Sequence, residues 1–377
     1  MNILIIPSWY PTEDKPGNGI FFKEQAEALL FRGHNVTVAY ADLRFKLNGL
    51  KTGLFKAENT QVNTYIYRRR SLTPFLECGR IPQRMLMLEK LYKLIVQHHG
   101  KPDIIHLHSC RMAVEVAHLC KKHNIPMIYT EHYSGILENK SSILLYQLKT
   151  ALKNSRYSIA VSEHLRKAMA PLRENILYIP NLVDTKIFKP KEIQKNIENN
   201  GFVFGAMGNL VPIKCFDILI KAFAVVTEQI PFSTLLIAGS GQEKQNLQSL
   251  IDKLDLCDKV KLVGYINRED TVDFFNVCDC FICSSKMETF GAVIIEALAC
   301  GKPVAATRCG GPQSIINQTN GVFSEIENSQ SLADAMIFIA EHIQSFDSNK
   351  IREDCVNRFD KEIICARLEE VYSSALH

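Results

Sequence analysis

Short apolar runs alternate with longer amphipathic stretches along the first half of the chain. Short apolar runs bounded by turn-forming residues are typical of buried strands, whereas apolar residues spaced three and four apart predict helices. The pattern predicts strands and helices in alternation, which implies a mostly parallel sheet covered on both faces. The predicted strands are Ile3–Ile6, Asn35–Ala41, Ile104–Ser109, Met127–His132 and Ser158–Glu163, and the helices are Phe22–Phe31 and Ala113–His123.

The same alternation restarts after residue 200 and predicts a second unit of similar size. Its predicted strands are Phe202–Gly208, Thr234–Gly241, Val260–Ile266, Cys280–Ser285 and Pro303–Gly311, with a helix at Phe216–Glu228. A last helix is predicted at Ile363–Ala375. The proline-containing, charged stretch from 179 to 192 marks the join, within about 185 to 200.

We therefore expect an α/β fold with a first domain at 1–185 and a second at 186–360. The last segment, 361–377, is expected to form a helix that packs back on the first domain. Ligands of doubly wound sheets bind outside the carboxyl ends of the strands. Two such domains in tandem predict a binding cleft between them.

Composition narrows the class of protein without naming a function. The chain has 377 residues, and 44 Lys and Arg against 40 Asp and Glu give a net charge of +4, which is too small to indicate nucleic-acid binding. No apolar run approaches the ~18 residues of a membrane span. The opening MNILIIPSWYP is expected to be a first strand rather than a signal peptide.

The chain has 12 cysteines, many of them in predicted core elements, which favours free thiols and a reducing, cytoplasmic location. Cys280 and Cys283 have the CxxC spacing of zinc or redox sites. Because no second CxxC or histidine pair accompanies them, we interpret them as part of a buried strand, and we expect no metal site.

The segment METFGAVIIEALACG carries the most chemistry. Glu288 and Glu296 are eight residues apart, and Phe290-Gly291 is expected to open a helix. The amides from Phe290 to Val293, including that of Ala292, would lie at a helix N-terminus, where anions bind readily. Carboxylates accept hydrogen bonds from sugar hydroxyls. The alternative is structural: Glu288 as an acid in the first turn of the helix and Glu296 as a solvated side chain.

Three further segments place polar or flexible residues after predicted strands. In GNLVPIKCFDILIKAF, Gly208 and Asn209 precede Lys214, which could pair with a phosphate or be a surface lysine. Gly17 and Gly19 would let a loop approach a ligand, although no GxGxxG fingerprint is present. His132 in TEHY follows a strand, where a lone histidine could also be structural.

Taken in order, these four segments resemble the family 4 glycosyltransferases of the GT-B fold, which has two Rossmann-like domains. The ExxxxxxxE pair with its Phe-Gly dipeptide is the family signature, and GNLVPIKCFDILIKAF matches GxLxxxKGxxxLIxAF. PDIIHLHS, VSEHL, IPNLVDTKIF, LIAGSG and GYI also have counterparts, so the resemblance covers nearly the whole chain.

The resemblance implies roles for these residues. Glu288, Lys214 and His132 would form the catalytic set, with Glu288 at the donor sugar and Lys214 at the departing diphosphate. Glu296 would hold the nucleotide ribose. The remaining donor-binding residues would act through backbone or close approach: Gly17, Gly19, Gly208, Asn209, Tyr265, Phe290, Gly291 and Ala292.

The sequence departs from the family at the donor phosphates. Asn209 stands where the family has an arginine, Cys215 replaces a glycine after the lysine, and Leu182 replaces the glycine of PNGVD. The missing arginine leaves more of the phosphate charge to Lys214 and the helix N-terminus.

The implied function is a retaining, hexosyltransferase-type enzyme that moves a sugar from a UDP- or GDP-sugar to a glycan or lipid-linked acceptor, in the synthesis of cell-surface polysaccharide or glycolipid. No DxD motif is present, so no metal and no cofactor besides the donor is expected. Three alternatives are a sugar-nucleotide epimerase or hydrolase, a nicotinamide oxidoreductase, which the missing fingerprint disfavours, and an inactive sugar-nucleotide binding protein.

A basic stretch in the first domain suggests peripheral contact with the inner face of the cell membrane. It contains Arg68, Arg69, Arg70, Arg80 and Arg84 near Phe75 and Leu76, ahead of a helix expected to start near Met85. Basic residues beside apolar side chains favour anionic membrane surfaces. The alternative is a solvated surface over an ordinary core helix.

Overall fold

A computed structural model of the chain describes residues 1–58, 60–73, 76–138, 141–192 and 201–377. It divides into two compact units, Met1–Leu182 with Lys361–His377, and Val183–Asp360. The sequence-based boundaries were 185/186 and 360/361. Within the described residues, no helix combines the length and the apolar character needed to cross a membrane.

The described part of the N-terminal unit forms an eight-stranded sheet in the order β3-β4-β2-β1-β5-β6-β7-β8. Neighbouring strands are parallel except for β3 and β4, which are antiparallel. The strands are β1 (Asn2–Pro7), β2 (Asn35–Arg44), β3 (Gly53–Lys56), β4 (Asn63–Arg70), β5 (Ile104–His108), β6 (Met127–Glu131), β7 (Tyr157–Ala160) and β8 (Leu177–Tyr178). The helices are α1 (Ile20–Phe31), α2 (Glu77–His99), α3 (Ala113–His123), α4 (Gly135–Glu138), α5 (Ser142–Asn154) and α6 (Glu163–Met169).

The described part of the C-terminal unit forms a six-stranded, all-parallel sheet in the order β11-β10-β9-β12-β13-β14. Its strands are β9 (Phe202–Met207), β10 (Ser233–Ala238), β11 (Val260–Gly264), β12 (Cys280–Cys283), β13 (Val304–Thr307) and β14 (Gly321–Ser324). Its helices are α7 (Phe216–Gln229), α8 (Lys244–Lys253), α9 (Thr271–Val277), α10 (Ala292–Ala299), α11 (Ser329–Glu341) and α12 (Ser348–Phe359).

Both sheets are doubly wound, as the sequence predicts. In each sheet, the first strands of the unit are added on one side of β1 or β9. The chain then crosses over, and β5 or β12 and the strands after it are added on the other side. The position where the strand order changes direction is the topological switch point of each sheet, and ligands of this architecture bind there. These points lie between β1 and β5 and between β9 and β12.

Each unit has its own apolar core because its parallel strands are covered on both faces. In the C-terminal unit, Phe204 on β9 packs with Phe223 on α7. In the N-terminal unit, Ile3 and Ile5 of β1 pack with Phe22 of α1.

The last helix, α13 (Lys361–Leu376), belongs to the core of the N-terminal unit. Its Leu368 and Tyr372 are buried there, and the Tyr372 hydroxyl shares a hydrogen bond of 2.7 Å with His106 Nδ1. On the exposed side, Arg32, the residue that follows α1, donates to both carboxylate oxygens of Glu369, at 2.6 and 2.7 Å. The helix is therefore an integral part of this unit.

The structure corrects several sequence-based bounds. The antiparallel pair β3–β4 and the strands β8 and β14 were not predicted. Strand β10 ends at Ala238, before the expected Gly241, because Gly239 and Gly241 have φ of 143° and 159°. A Cβ on Gly239 would lie 1.8 Å from the carbonyl oxygen of Gly208, so glycine is required at this close approach.

The expectation that the arginines of the basic stretch form an exposed surface is wrong for most of them. Arg68 is fully buried and donates to Asp42 at 2.6 Å and to Glu13 at 2.5 Å. Arg84 is buried against Glu115, its Nε lying 2.5 Å from the carboxylate. A buried guanidinium needs carboxylate partners.

The helix over this stretch, α2, begins at Glu77, eight residues before the expected Met85. Arg80 and Arg84 both pair with Glu77, each at 2.9 Å. Phe75 lies outside the described residues. Membrane contact stays a prediction, which now depends on Arg69, Arg70 and the exposed Leu76.

Candidate functional site

The C-terminal unit places two charged residues of the predicted site on either side of its switch point. Lys214 follows β9 and ends a 3-10 turn, Pro212–Lys214, and Glu288 follows β12. Because β9 and β12 are adjacent parallel strands, their carboxyl ends meet at one edge of the sheet. Two segments separated by 74 positions in sequence thus supply one ion pair.

The ammonium of Lys214 donates to Oε1 of Glu288, which also accepts a hydrogen bond of 2.8 Å from Ser285 Oγ. Burial lowers the pKa of Lys214, but the Glu288 carboxylate outweighs that effect, and the net pKa is raised. Lys214 therefore remains charged at neutral pH, while a minor part of its side chain stays open to solvent.

Backbone contacts fix the loops that carry this pair. Ser284 Oγ donates to the Lys214 carbonyl at 2.8 Å, and the Lys286 amide donates to the Ile213 carbonyl at 2.8 Å. The Glu288 amide donates to Cys309, and its carbonyl accepts from Gly311 at 2.8 Å. The ion pair is thus held by three consecutive strand-end loops.

Helix α10 begins at Ala292, slightly later than expected, with Gly291 as its N-cap. Gly291 has a φ of 100°, a region that favours glycine. The Phe290 ring is buried against Phe359, with centroids 6.0 Å apart, so this residue has only its backbone to offer a ligand. Among the described residues, no side chain caps the helix, and the amides of Ala292 and Val293 are available to an anion.

Glu296 lies on α10 with its side chain almost wholly buried. Its Oε1 pairs with Arg268 Nη2 at 2.8 Å, whereas its Oε2 is buried with no hydrogen-bond partner among the described residues. Such an atom is uncommon in a folded protein and indicates a missing partner. Sequence reasoning missed Arg268, whose only signal was a charge in the GYINRED loop after β11.

The segment expected to flank the nucleotide base lies at the carboxyl end of β11. Val263 and Tyr265 expose 43% and 51% of their surface, which is high for such apolar side chains, and Gly264 between them has a φ of 81°. Exposed apolar groups at a strand end can support a flat ligand.

Gly208 and Asn209 follow β9. A Cβ on Gly208 would lie 3.3 Å from Cε of Lys214, so a side chain here would crowd the lysine. Asn209 is exposed, in the position where the family has an arginine.

In the N-terminal unit, the loop after β1 contains two predicted glycines, and only one of them has a backbone conformation that requires glycine. Gly19 is the N-cap of α1, with a φ of 77°, and a Cβ there would lie 2.8 Å from the Trp9 ring. Gly17 is exposed and has no positive φ, so nothing in its conformation requires glycine.

His132 follows β6 and is buried between aromatic rings of α1. Its ring centroid lies 5.1 Å from that of Phe21 and 4.9 Å from that of Phe22. The Glu131 carboxylate accepts the amides of His132 and Tyr133, each at 2.8 Å, which fixes the turn. Burial holds the pKa of His132 well below its usual value, so the ring is neutral.

A further histidine that sequence reasoning did not single out, His108, contacts His132. His132 Nε2 shares a hydrogen bond of 3.0 Å with His108 Nδ1, while His132 Nδ1 is buried without a partner among the described residues. The other nitrogen of His108 lies 3.4 Å from the Gln25 amide. His106, two residues before His108 on β5, is fully buried, which lowers its pKa to about 3.

A cavity of about 260 Å³ lies within the N-terminal unit, near the end of β6. Its lining includes Tyr133, Arg111, Glu77 and Gln147. The Arg111 guanidinium lies 5.3 Å from the Tyr133 ring centroid. Among the described residues, no group of three or more His, Cys, Asp or Glu could hold a metal ion.

Family models match nearly the whole chain. Residues 17–187 match "Glycosyltransferase Family 4", and residues 188–357 match "Glycosyl transferases group 1". An uncharacterized glycosyltransferase of Methanocaldococcus jannaschii is 32% identical over 74% of this chain and 76% of its own length. The N-acetyl-alpha-D-glucosaminyl L-malate synthase of Bacillus anthracis is 24% identical over 96% of this chain and 94% of its own.

Solved structures share the fold. The Anabaena protein HepE in complex with UDP has a TM-score of 0.78 and 25% identity, covering 99% of this chain and 100% of its own. Sucrose-phosphate synthase from Thermosynechococcus elongatus has a TM-score of 0.80 and 20% identity, covering 99% of each chain. These likenesses confirm the predicted GT-B fold.

Proposed function

Because the chain belongs to the family 4 glycosyltransferases, we propose that it transfers a hexosyl group from a nucleotide sugar to a glycan or lipid-linked acceptor, with retention of anomeric configuration. The observation that carries this proposal is the Lys214–Glu288 pair at the switch point of the C-terminal unit, beside the uncapped start of α10. This arrangement supplies positive charge for a diphosphate and a carboxylate for a sugar.

The chemistry needs the leaving group stabilised more than it needs a strong nucleophile. As the bond to the diphosphate breaks, positive charge develops on the sugar and negative charge on the phosphate oxygens. Lys214 and the amides at Gly291 and Ala292 would stabilise the phosphate charge in place, without reorganising. In this proposal Glu288 lies against the sugar, and a leaving phosphate oxygen takes the proton of the acceptor hydroxyl.

The rest of the donor has partners in the same unit. Oε2 of Glu296 would accept a hydrogen bond from the ribose, and Val263 and Tyr265 would flank the base. In the N-terminal unit, Gly19 and His132 are proposed as ligand-contacting residues, as the family resemblance implies. Nδ1 of His132 is buried without a hydrogen-bond partner among the described residues, which supports a role in contacting a ligand.

We propose a UDP-sugar as donor. HepE was solved with UDP and with UDP-glucose, and the Bacillus relative is named for transfer of N-acetylglucosamine to malate. A phosphatidylinositol N-acetylglucosaminyltransferase subunit of Saccharomyces cerevisiae, 23% identical over 93% of this chain, supports a lipid-linked acceptor as the other possibility. The cavity beside Tyr133 is the proposed entry for the acceptor, at the cytoplasmic face of the membrane.

One observation favours a second candidate, a sugar-nucleotide binding protein without transfer activity. Asn209 stands where relatives of the family place an arginine on the phosphates, so the leaving group has one cation fewer. Formation of a glycosylated product separates the two candidates.

The test begins with thermal unfolding of the full chain in the presence of UDP, GDP and their hexose conjugates, since a bound ligand raises the midpoint by mass action. The stabilising donor is then incubated with candidate acceptors, and proton NMR of the product gives the anomeric configuration. We expect UDP-sugars to stabilise and the product to retain configuration. An inverted product would contradict retention, and no product with any acceptor would favour the binding protein.

A further inference from the structure

The ion pair between Glu296 and Arg268 joins two parts of the C-terminal unit that the sequence keeps apart. Glu296 lies on α10, beyond the proposed phosphate site, and Arg268 lies in the loop after β11, three residues beyond Tyr265. The contact therefore links the carboxylate proposed for the ribose with the loop proposed for the base.

The two oxygens of Glu296 have different surroundings. Oε1 is 2.8 Å from Arg268 Nη2, and Oε2 is buried with no partner among the described residues. A buried carboxylate is costly unless it is paired, so Arg268 makes it possible to keep this charge inside. Oε2 is left as an acceptor without a hydrogen-bond donor among the described residues.

Arg268 is itself held in place. Its guanidinium lies 4.6 Å from the ring centroid of Phe188, which is buried at the start of the unit. A planar guanidinium can stack on a ring with its face and donate to a carboxylate with its edge, which an ammonium cannot do. The ring and the carboxylate together restrict Arg268 to one position.

We propose that Arg268 is a positioning residue that turns Oε2 of Glu296 toward a single ribose hydroxyl and so makes the site discriminate ribonucleotides from deoxyribonucleotides. This inference rests on the proposed function. Because Arg268 takes one acceptor position of Oε1, Oε2 is the stronger acceptor left for the ribose, and one hydroxyl is bound more strongly than the other. A site built to bind a hydroxyl leaves a buried acceptor unpaired when that hydroxyl is missing, and so rejects the analogue.

The test measures dissociation constants of the full chain for UDP, 2′-deoxy-UDP and 3′-deoxy-UDP by calorimetry, with the matching GDP series in parallel. In the wild type, removing one of the two hydroxyls weakens binding at least ~10-fold and removing the other weakens it less, as expected for one hydrogen bond to a charged group. In Arg268→Gln the larger ratio falls below ~3-fold, mainly because the ribonucleotide binds more weakly. Arg268→Lys, which keeps the charge but not the planar stack, lies between the two.

Arg308→Gln is the matched control. Arg308 lies in the same unit, 4.6 Å from the centroid of the Phe323 ring, and pairs with Glu325 at 3.8 Å. Its loss removes the same kind of stacked ion pair, so the ribose ratio stays at the wild-type value if discrimination belongs to Arg268.

Two results would overturn the inference. A wild-type ratio in folded Arg268→Gln would show that Glu296 needs no help from Arg268. Tighter ribonucleotide binding in that variant would show that Arg268 competes with the ribose. If the wild type binds neither UDP nor GDP, the proposed function itself fails, which is a different outcome from an unchanged ratio.

Discussion

The two units place their ionisable groups at different depths. In the N-terminal unit they lie within the strands: His106 and His108 on β5 and Arg68 on β4 are buried. In the C-terminal unit, the groups of the proposed site lie beyond the strand ends, as with Lys214 and Glu288. A charge inside a sheet affects folding, whereas a charge at its carboxyl edge is available for a ligand.

Individual ionisable groups also differ in whether their hydrogen bonds are satisfied. Arg68 is satisfied by Asp42 and Glu13, and His106 by Tyr372 and Thr130. By contrast, Oε2 of Glu296 lacks a partner among the described residues. His132 combines both situations, with Nε2 bonded to His108 and Nδ1 left open. We therefore expect changes in the interior groups to alter stability first, and changes at the C-terminal edge to alter turnover.

The largest expected effect is on the stability of the N-terminal unit as pH falls. Burial lowers the pKa of His106 to about 3 and holds the pKa values of His108 and His132 well below 6.5. Below pH 6.5 the unfolded chain therefore binds protons that the folded unit does not, so stability present above that pH is lost toward pH 3. From about pH 7.5 to 5.5 the loss is about 4 kcal/mol for the three histidines together.

Trp9, the one tryptophan of the sequence, packs on Phe22 in this unit, so its fluorescence during urea unfolding reports on the N-terminal unit. His164→Gln, at an exposed position, should leave the pH dependence unchanged. A loss under about 1 kcal/mol between the two pH values would contradict neutral buried histidines.

Arg68→Ala comes next. It leaves Asp42 with one cation fewer and removes the stem that fills the interior, so we expect the unfolding free energy to fall by about 3 kcal/mol. The same urea experiment on Trp9 measures it. Arg70→Ala, two residues along the same strand and exposed, should change stability by less than about 0.5 kcal/mol. Equal effects of the two substitutions would refute the burial of Arg68.

At the C-terminal edge, Lys214→Ala and Glu288→Ala should each lower turnover at least ~10-fold, which is about 1.4 kcal/mol in the barrier. The reason is that the first removes charge at the leaving diphosphate and the second removes the carboxylate at the sugar. The measurement is of steady-state rates with the nucleotide sugar that the thermal-unfolding experiment identifies as the donor.

Lys221→Ala, which breaks an exposed pair with Asp217, is the control and should keep wild-type kcat/KM. Folded Lys214 and Glu288 variants that retain wild-type kcat/KM would show that the proposed site is misassigned.

The smallest expected effect is that of a chelator. The sequence lacks a DxD motif, and charge at the leaving group is supplied by Lys214 and the start of α10, so activity should survive EDTA. Complete loss that magnesium or manganese restores would contradict this expectation, whereas partial stimulation by a cation would agree with faster release of the diphosphate.

The periodic pattern was enough for the doubly wound sheets and for most strand positions, because parallel strands covered on both faces have continuous apolar runs. It did not reveal β3, whose residues alternate between exposed and half-buried, or the early start of α2, which contains Pro82. Proline disfavours helix interiors, so the sequence suggested a later start.

For the site, motif order was enough to place Lys214 and Glu288 after the two strands that flank the switch point. The side-chain partners of these charged and polar residues could not be predicted from the sequence. Arg68 looks like a surface cation because Asp42 and Glu13 are 26 and 55 residues away in sequence. The role of Arg268 and the support of His132 by His108 depend on contacts between segments that are apart in the chain, which the amino-acid sequence alone does not reveal.

The return of α13 to the N-terminal unit determines the order in which the chain can fold during synthesis. The ribosome completes Val183–Asp360 before it makes Ile364, Leu368 and Tyr372, which belong to the core of the first unit. Until then, His106 lacks the Tyr372 hydroxyl and α1 lacks its neighbour. The unit that begins first is therefore finished last, and the C-terminal unit can mature on the ribosome while the N-terminal unit still awaits its final helix.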